Sequence, residues 1–171
     1  MEAALAELPS LDPGFPPGDN FLAAPASADE LAALANEAGL EAGAPLAAFY
    51  RTCREASLPD VHNGYFIVAP PRLLKWHRGE APTRVTGARP RDILPFGADG
   101  GGAYFALDAG GQSEVIRLAD VAVRDRVADG DSGEVTVVAA DFPSFLERLL
   151  ADVEAFIGGV PGWTFIDGAR S

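Results

Sequence analysis

The chain has 171 residues, 48% of them hydrophobic and 22% charged, with 25 acidic side chains against 13 basic ones and a single cysteine. A chain of this length takes roughly 70% of its unfolded surface out of water, so one domain can build a core without metals or disulfide staples, and Cys53 has no partner for a bridge within the chain. A net charge of −12 disfavours nucleic acid, whose binding rests on neutralising phosphates with Lys and Arg, and no apolar run approaches the roughly 20 residues of a membrane span.

Residues 8 to 25 carry Pro9, Pro13, Pro16, Pro17 and Pro25 with Gly14 and Gly18, which fix φ and remove donors too often for a regular element. They form a leader over residues 1–26, free or docked through Leu11, Phe15, Phe21 and Leu22. The Met1-Glu2 start lacks the basic region of a secretory signal, so a cytoplasmic protein is expected. Ser27 followed three residues later by Glu30 is a capping box, and Leu31, Leu34, Ala35 and Ala38 recur at helical spacing up to a stop at Gly43. Pro45 suits a first-turn position, and Leu46, Phe49, Tyr50 and Cys53 predict a second helix over about 45–56.

Tyr65 to Ala69 reads as a strand ended by Pro70 and Pro71, residues 72–78 as a brief helix, and residues 79–92 as a loop. Strands follow at Ile93–Phe96, Ala103–Asp108, Glu114–Leu118, about 120–127 and Glu134–Ala139, separated by glycine-bearing turns at 97–102, 110–111 and 129–133. Asp141 caps a last helix whose Phe145, Leu146, Leu149, Leu150, Val153, Phe156 and Ile157 share one face, and Gly158 and Gly159 close it. Helices, then consecutive strands, then a helix predict an α+β domain over 27–158 with an antiparallel meander, leaving 159–171 as a tail that folds back or meets a partner through Trp163, Phe165 and Ile166.

Within the meander, Phe96 and Phe105 are placed to form a cross-strand pair. Ala103, Phe105 and Leu107 alternate with Tyr104, Ala106 and Asp108 to give a buried and a wetter face, and Gly100 to Gly102 permit positive φ in the turn. The run from Ile93-Leu94-Pro95-Phe96-Gly97 through Gly100-Gly101-Gly102 to Tyr104-Phe105-Ala106-Leu107-Asp108 resembles the central hairpin of the SUKH superfamily, the group containing the yeast Smi/Knr-type cell-wall regulators and many bacterial toxin-immunity proteins. Leu46-Ala47-Ala48-Phe49-Tyr50 leading to His62-Asn63-Gly64 is similar to its helix before the first strand, and Phe142-Pro143-Ser144-Phe145-Leu146 to its closing helix. The resemblance spans about residues 27–158. The stretch between Tyr50 and Asn63 is longer than in the family, and Gly43-Ala44-Pro45 replaces its usual Leu-Pro helix opening. The resemblance implies a non-enzymatic binder, chiefly of toxins delivered between bacteria.

Other chemistry has little support. Gly97 to Gly102 lacks the Lys-Ser/Thr and the following helix of a phosphate cradle. Asp125, Asp129, Asp131 and Glu134 do not match a calcium loop, and His62 and His77 have no Cys or second His at zinc spacing, so no metal and no cofactor are expected. Asp129-Gly130-Asp131-Ser132-Gly133 reads as a solvated turn, His62 as a residue of the Asn63-Gly64 turn, and Cys53 as a small core side chain. Ser57, Ser113 and Ser132 sit in no nucleophile elbow.

The expected function is therefore protein binding, as an immunity protein occluding a toxin domain with a basic surface, or as a regulatory or scaffold protein with an endogenous partner. The partner-binding residues proposed from the sequence are Asp125, Asp129, Asp131 and Glu134 at one hairpin tip, Asp99 in the other prominent turn, and Trp76 and Tyr104 as aromatic anchors. For Trp76 two readings stand, an interface anchor or a core-edge residue packed under the following loop.

Overall fold

The computed structural model describes Ala3, residues 18–109 and residues 114–160. The leader before Gly18, the turn at 110–111, Ser113 and the Trp163 tail lie outside these residues.

The main sheet runs in the order β1 (Phe21–Leu22), β2 (Ala56–Leu58), β3 (Tyr65–Ile67), β5 (Arg91–Asp99), β6 (Tyr104–Asp108), β7 (Val115–Ala119) and β10 (Glu134–Ala139), antiparallel throughout. Three short strands continue from the start of β5: β4 (Arg84–Val85) pairs with it antiparallel, β9 (Val127–Asp129) runs parallel to β4, and β8 (Ala122–Arg124) closes a hairpin with β9. The helices are α1 (Ala28–Ala38), α2 (Pro45–Tyr50), α3 (Pro70–Lys75), which runs on into a π turn over Trp76–Glu80, and α4 (Phe142–Ile157). The molecule has the α+β class and antiparallel sheet that the sequence predicts.

Local chemistry explains the helix ends. Ser27 and Glu30 make the reciprocal capping box, with Ser27 Oγ accepting from the Glu30 amide at 3.2 Å and Glu30 accepting from the Ser27 amide at 2.9 Å. Pro45 occupies the first turn of α2, and Asp141 caps α4 by accepting from the Ser144 amide at 2.7 Å. The Ser144 side chain first, and then this amide hydrogen bond, hold the Asp141 carboxyl below its usual range. Two boundaries differ from expectation. Helix α1 stops at Gly39, which takes the left-handed φ of +66° that ends helices, rather than at Gly43. Helix α2 stops at Tyr50, because the segment after Cys53 forms β2, which pairs with β1 on one side and β3 on the other and gains more there than from another helical turn.

Each face of the sheet buries its own core. On the inner face Phe96, Phe105, Ile67 and Leu58 meet Leu34 of α1, Leu46 and Tyr50 of α2, Leu73 of α3, and Phe142, Phe145, Leu149 and Val153 of α4. Phe96 and Phe105 are joined through Phe145, whose ring centre is 5.3 Å from each, rather than paired directly, because a bulge between Pro95 and Gly97 sets their registers apart. The outer face, expected to be the wetter one, carries a second core. Val85, Ile93, Ala106, Ile116, Leu118 and Ala128 pack there beneath the flap made by β4, β8 and β9. The sequence reading placed a loop over residues 79–92 and missed β4, a strand too short to show a period.

The hairpin turn is held by close approach as much as by φ. Gly102 has φ +90°, but at Gly100 the constraint is space: a Cβ there would lie 1.7 Å from the carbonyl oxygen of Asn63.

Candidate partner-binding surface

The acidic hairpin is built on two special turns. Between β8 and β9 the two-residue loop Asp125-Arg126 has φ of 50° and 65°, the double positive φ of a tight hairpin. Asp tolerates this region well, whereas Arg does not. Arg126 is retained in a strained conformation because its guanidinium donates to the carbonyl oxygen of His77, tying the flap to the π turn after α3. Between β9 and β10, Asp129 organises the second turn: its carboxylate accepts from the Asp131 amide at 3.1 Å, and its carbonyl accepts from the Ser132 hydroxyl at 2.7 Å. Ser132 Oγ in turn accepts from the Ala122 amide at 2.7 Å. Gly130 and Gly133 are glycines because a Cβ at either would meet the backbone of Thr86 or Ala119 at 2.5 Å or less.

These turns leave Asp125, Asp129, Asp131 and Glu134 exposed, as expected. Asp125, Asp129 and Asp131 take part in no ion pair among the described residues. Elsewhere five exposed or half-buried acids are paired, Glu30 with Arg54, Glu37 with Arg78, Glu80 with Arg72, Asp92 with Arg84, and Glu114 with Arg91, while others, such as Asp29, Glu41 and Glu147, make no ion pair among the described residues. The hairpin thus gathers four exposed carboxylates against two arginines of its own, Arg124 and Arg126, of which Arg126 is turned to the His77 carbonyl.

The other proposed residues lie elsewhere. Asp99 is turned inward and buried, which corrects its place in an exposed turn. Its Oδ1 accepts from the amides of Gly101 and Ala103, both at 2.9 Å, and its Oδ2 from Arg117 at 2.8 and 3.1 Å, so the carboxylate folds the turn rather than presenting it. Trp76 is 6% exposed and stands edge-on to Tyr104, ring centres 5.4 Å apart, with Arg72 over its ring at 5.6 Å. Of its two readings the core-edge one describes its position. Tyr104 is half-buried against the second core. Trp76 and Tyr104 are therefore brought together on the outer face, while Asp99 and the four hairpin acids are not brought to them.

Sequence reasoning missed a buried polar group beneath the inner core. Asp152 of α4 is fully buried, with Oδ1 3.0 Å from His62 Nε2, and its carboxylate also accepts from the Tyr65 hydroxyl. Burial first, then the Asp152 charge, raise the Tyr65 phenol well above its ordinary range, so it stays protonated and donates. His62 has φ 52° and stacks edge-on against Phe156 at 4.9 Å, so beyond shaping the Asn63-Gly64 turn it closes the end of the core. The signal was present: Asp152 falls on the apolar stripe of α4 between Leu149 and Val153, where a carboxylate needs a partner. Cys53 is buried and donates to the Glu55 carbonyl at 3.1 Å. Among the described residues no group of three or more His, Cys, Asp or Glu side chains is arranged to hold a metal ion, and no helix is long and apolar enough to cross a membrane.

Compared with known families, residues 25–148 match the SMI1 / KNR4 family (SUKH-1). No curated protein matches the chain.

Proposed function

Because the chain belongs to the SMI1 / KNR4 family (SUKH-1), we propose that it is a non-catalytic protein-binding module, an immunity protein that occludes a toxin domain through its acidic hairpin. Membership supports toxin immunity or Smi1/Knr4-type regulation. The observation that carries the first is the set of exposed carboxylates at 125–134, three of which have no ion pair among the described residues. Toxins that act on nucleic acids or nucleotides hold a basic site for the substrate's anions, and a complementary acidic surface both speeds and selects that encounter. The hairpin is suited to this: its acids sit on a flap pinned at both turns, so they are presented without a large loss of chain entropy on binding.

The test is kinetic. The partner is captured from the native organism and identified by mass spectrometry, and its association with wild type is compared with that of the D125N/D129N/D131N/E134Q variant at two salt concentrations. Neutralising the four acids should slow association about tenfold at low salt, within the span that steering supplies, and much less at high salt, where screening is short-ranged. Variant stability should stay within about 0.5 kcal/mol of wild type, as for most surface changes. Equal association rates at both salts would move the binding face away from the hairpin, and a housekeeping partner without a basic site would replace immunity with regulation.

A further inference from the structure

The outer face of the sheet is covered for only part of its width. One cross-strand row can be followed through paired registers: Phe21, Ser57, Phe66, Ala98, Tyr104 and Leu118 all point to that side. Leu118 and Tyr104 lie under the second core and Trp76. From Ala98 to β1 the row is less covered: Phe21 is 41% exposed, and Ser57, Phe66 and Ala98 are half-buried. The small Ala98 side chain between Phe66 and the Trp76–Tyr104 pair opens a groove of about 530 Å³ there. Its rim departs from the charge of the molecule. Arg72 and Lys75 stand against the single carboxylate of Glu55, on a chain whose net charge is −12. Arg72 is already engaged by Glu80 at 3.0 Å, whereas the exposed Lys75 makes no ion pair among the described residues.

We propose that this groove is a second binding surface, which takes an acidic segment of a protein partner. A large apolar side chain of that segment seats over Ala98 between Phe66 and Trp76, and neighbouring carboxylates pair with Lys75 and with the outer side of Arg72. An apolar slot with a few charged groups on its lip is how short segments gain affinity from an anchor and selectivity from the rim. A basic segment is disfavoured here by Lys75 and drawn instead to the hairpin at 125–134, so the two surfaces sort partners by charge.

The probe is a random-peptide phage library selected on the full chain and depleted on the R72E/K75E variant, which keeps the acidic hairpin and so discards peptides captured there. Recovered peptides should carry Asp or Glu around an aromatic or large aliphatic residue. Titrated as a synthetic peptide, the best of them should shift the amide resonances of Phe66, Lys75 and Ala98, with affinity falling about tenfold or more in K75E, which leaves the Arg72 contacts to Trp76 and Glu80 intact. Ala98→Leu, which fills the slot, should lower affinity without changing the charge. Enrichment of basic or uncharged peptides, equal binding to K75E, or shifts centred on residues 122–134 would overturn the proposal. So would a concentration-dependent dimer in light scattering that K75E abolishes, which would make the occupant a second copy. Neither K75E nor Ala98→Leu should alter the hairpin's association kinetics, so failure here is distinguishable from failure of the immunity reading.

Discussion

The two faces of the sheet are built by different means. The inner face is covered by helices and filled with large rings, Phe96, Phe105, Phe142, Phe145 and Tyr50, most of them packed edge-on or tilted with ring centres 5 to 6 Å apart, and Phe142 stacked on Phe145 at 6.1 Å. The outer face is covered by β4, β8 and β9, two or three residues each, over fully buried aliphatic side chains no larger than Leu and Ile, with Tyr104 half-buried beside them. A helix brings its own backbone hydrogen bonds to the interface, whereas the flap depends on its neighbours for pairing and on polar ties such as Arg126 to His77 and Ser132 to Ala122. Local stability should follow this division, and the acidic hairpin is carried by the weaker half.

The largest test of the contrast uses one chemical change on both sides. Leu149 and Leu118 are each 1% exposed, the first in the inner core and the second in the outer. Truncation of a buried leucine to alanine costs about 2–5 kcal/mol, with the spread set by how far the surroundings collapse into the cavity. Leu149→Ala, fixed between helix and sheet, should fall near the top of that range, about 4 kcal/mol, and Leu118→Ala near the bottom, about 2.5 kcal/mol, because the flap can settle onto the gap. Urea unfolding followed by circular dichroism reads both. Equal losses would mean that the flap is as rigid as the helical layer.

A second test concerns the end of the inner face, where Asp99 is almost wholly buried and Arg117 mostly so. Removing one partner of a buried pair costs about 3–5 kcal/mol, because the remaining charge is stranded. Arg117→Leu should sit at the lower limit, about 3 kcal/mol, since Arg117 retains some solvent and Asp99 keeps two backbone donors. In an Asp99→Asn background the same change should cost less than about 1 kcal/mol, because no charge is then left behind. A double-mutant cycle showing no coupling would reduce the pair to two independent contacts.

The division between faces also explains what the sequence made legible. The inner face was readable because its elements declare themselves locally: Ser27 with Glu30, Pro45 in a first turn, Asp141 as a cap, and the stripe from Phe145 to Ile157. The outer face was not, since Val85 and Ala128 join a core only when two short strands whose paired residues are 43 apart in the chain meet, and nothing within either segment records that pairing. For the same reason Trp76 kept two readings until Tyr104 was placed beside it. The exposed acids of the hairpin were legible from composition and spacing. Asp99 was not, because an acid in a glycine-rich turn looks the same whether it faces water or folds inward onto Arg117, which is 18 residues further along.

The smallest effect should come at the opposite end of the sheet, where Arg91 at the start of β5 holds Glu114 at 2.8 Å and Asp108 at 3.2 Å. The hydrogen bond from Arg91 lowers the Glu114 carboxyl below its ordinary value; burial opposes this and Arg89 adds to it. A carboxyl whose folded value is depressed binds fewer protons when folded than when unfolded, so its contribution is complete above the unfolded value of 4.5 and is lost as pH falls through the lower folded one. Glu114 retains 23% of its side-chain exposure and Arg91 keeps Asp108 when Glu114 is neutralised, so Glu114→Gln should cost only about 0.5–1 kcal/mol near neutrality. The difference in stability between wild type and variant should then narrow in denaturant titrations taken from pH 6 down to pH 3. A difference that stays constant across that window would show that the pair contributes through packing and neutral hydrogen bonding, which does not depend on the charge of the carboxylate.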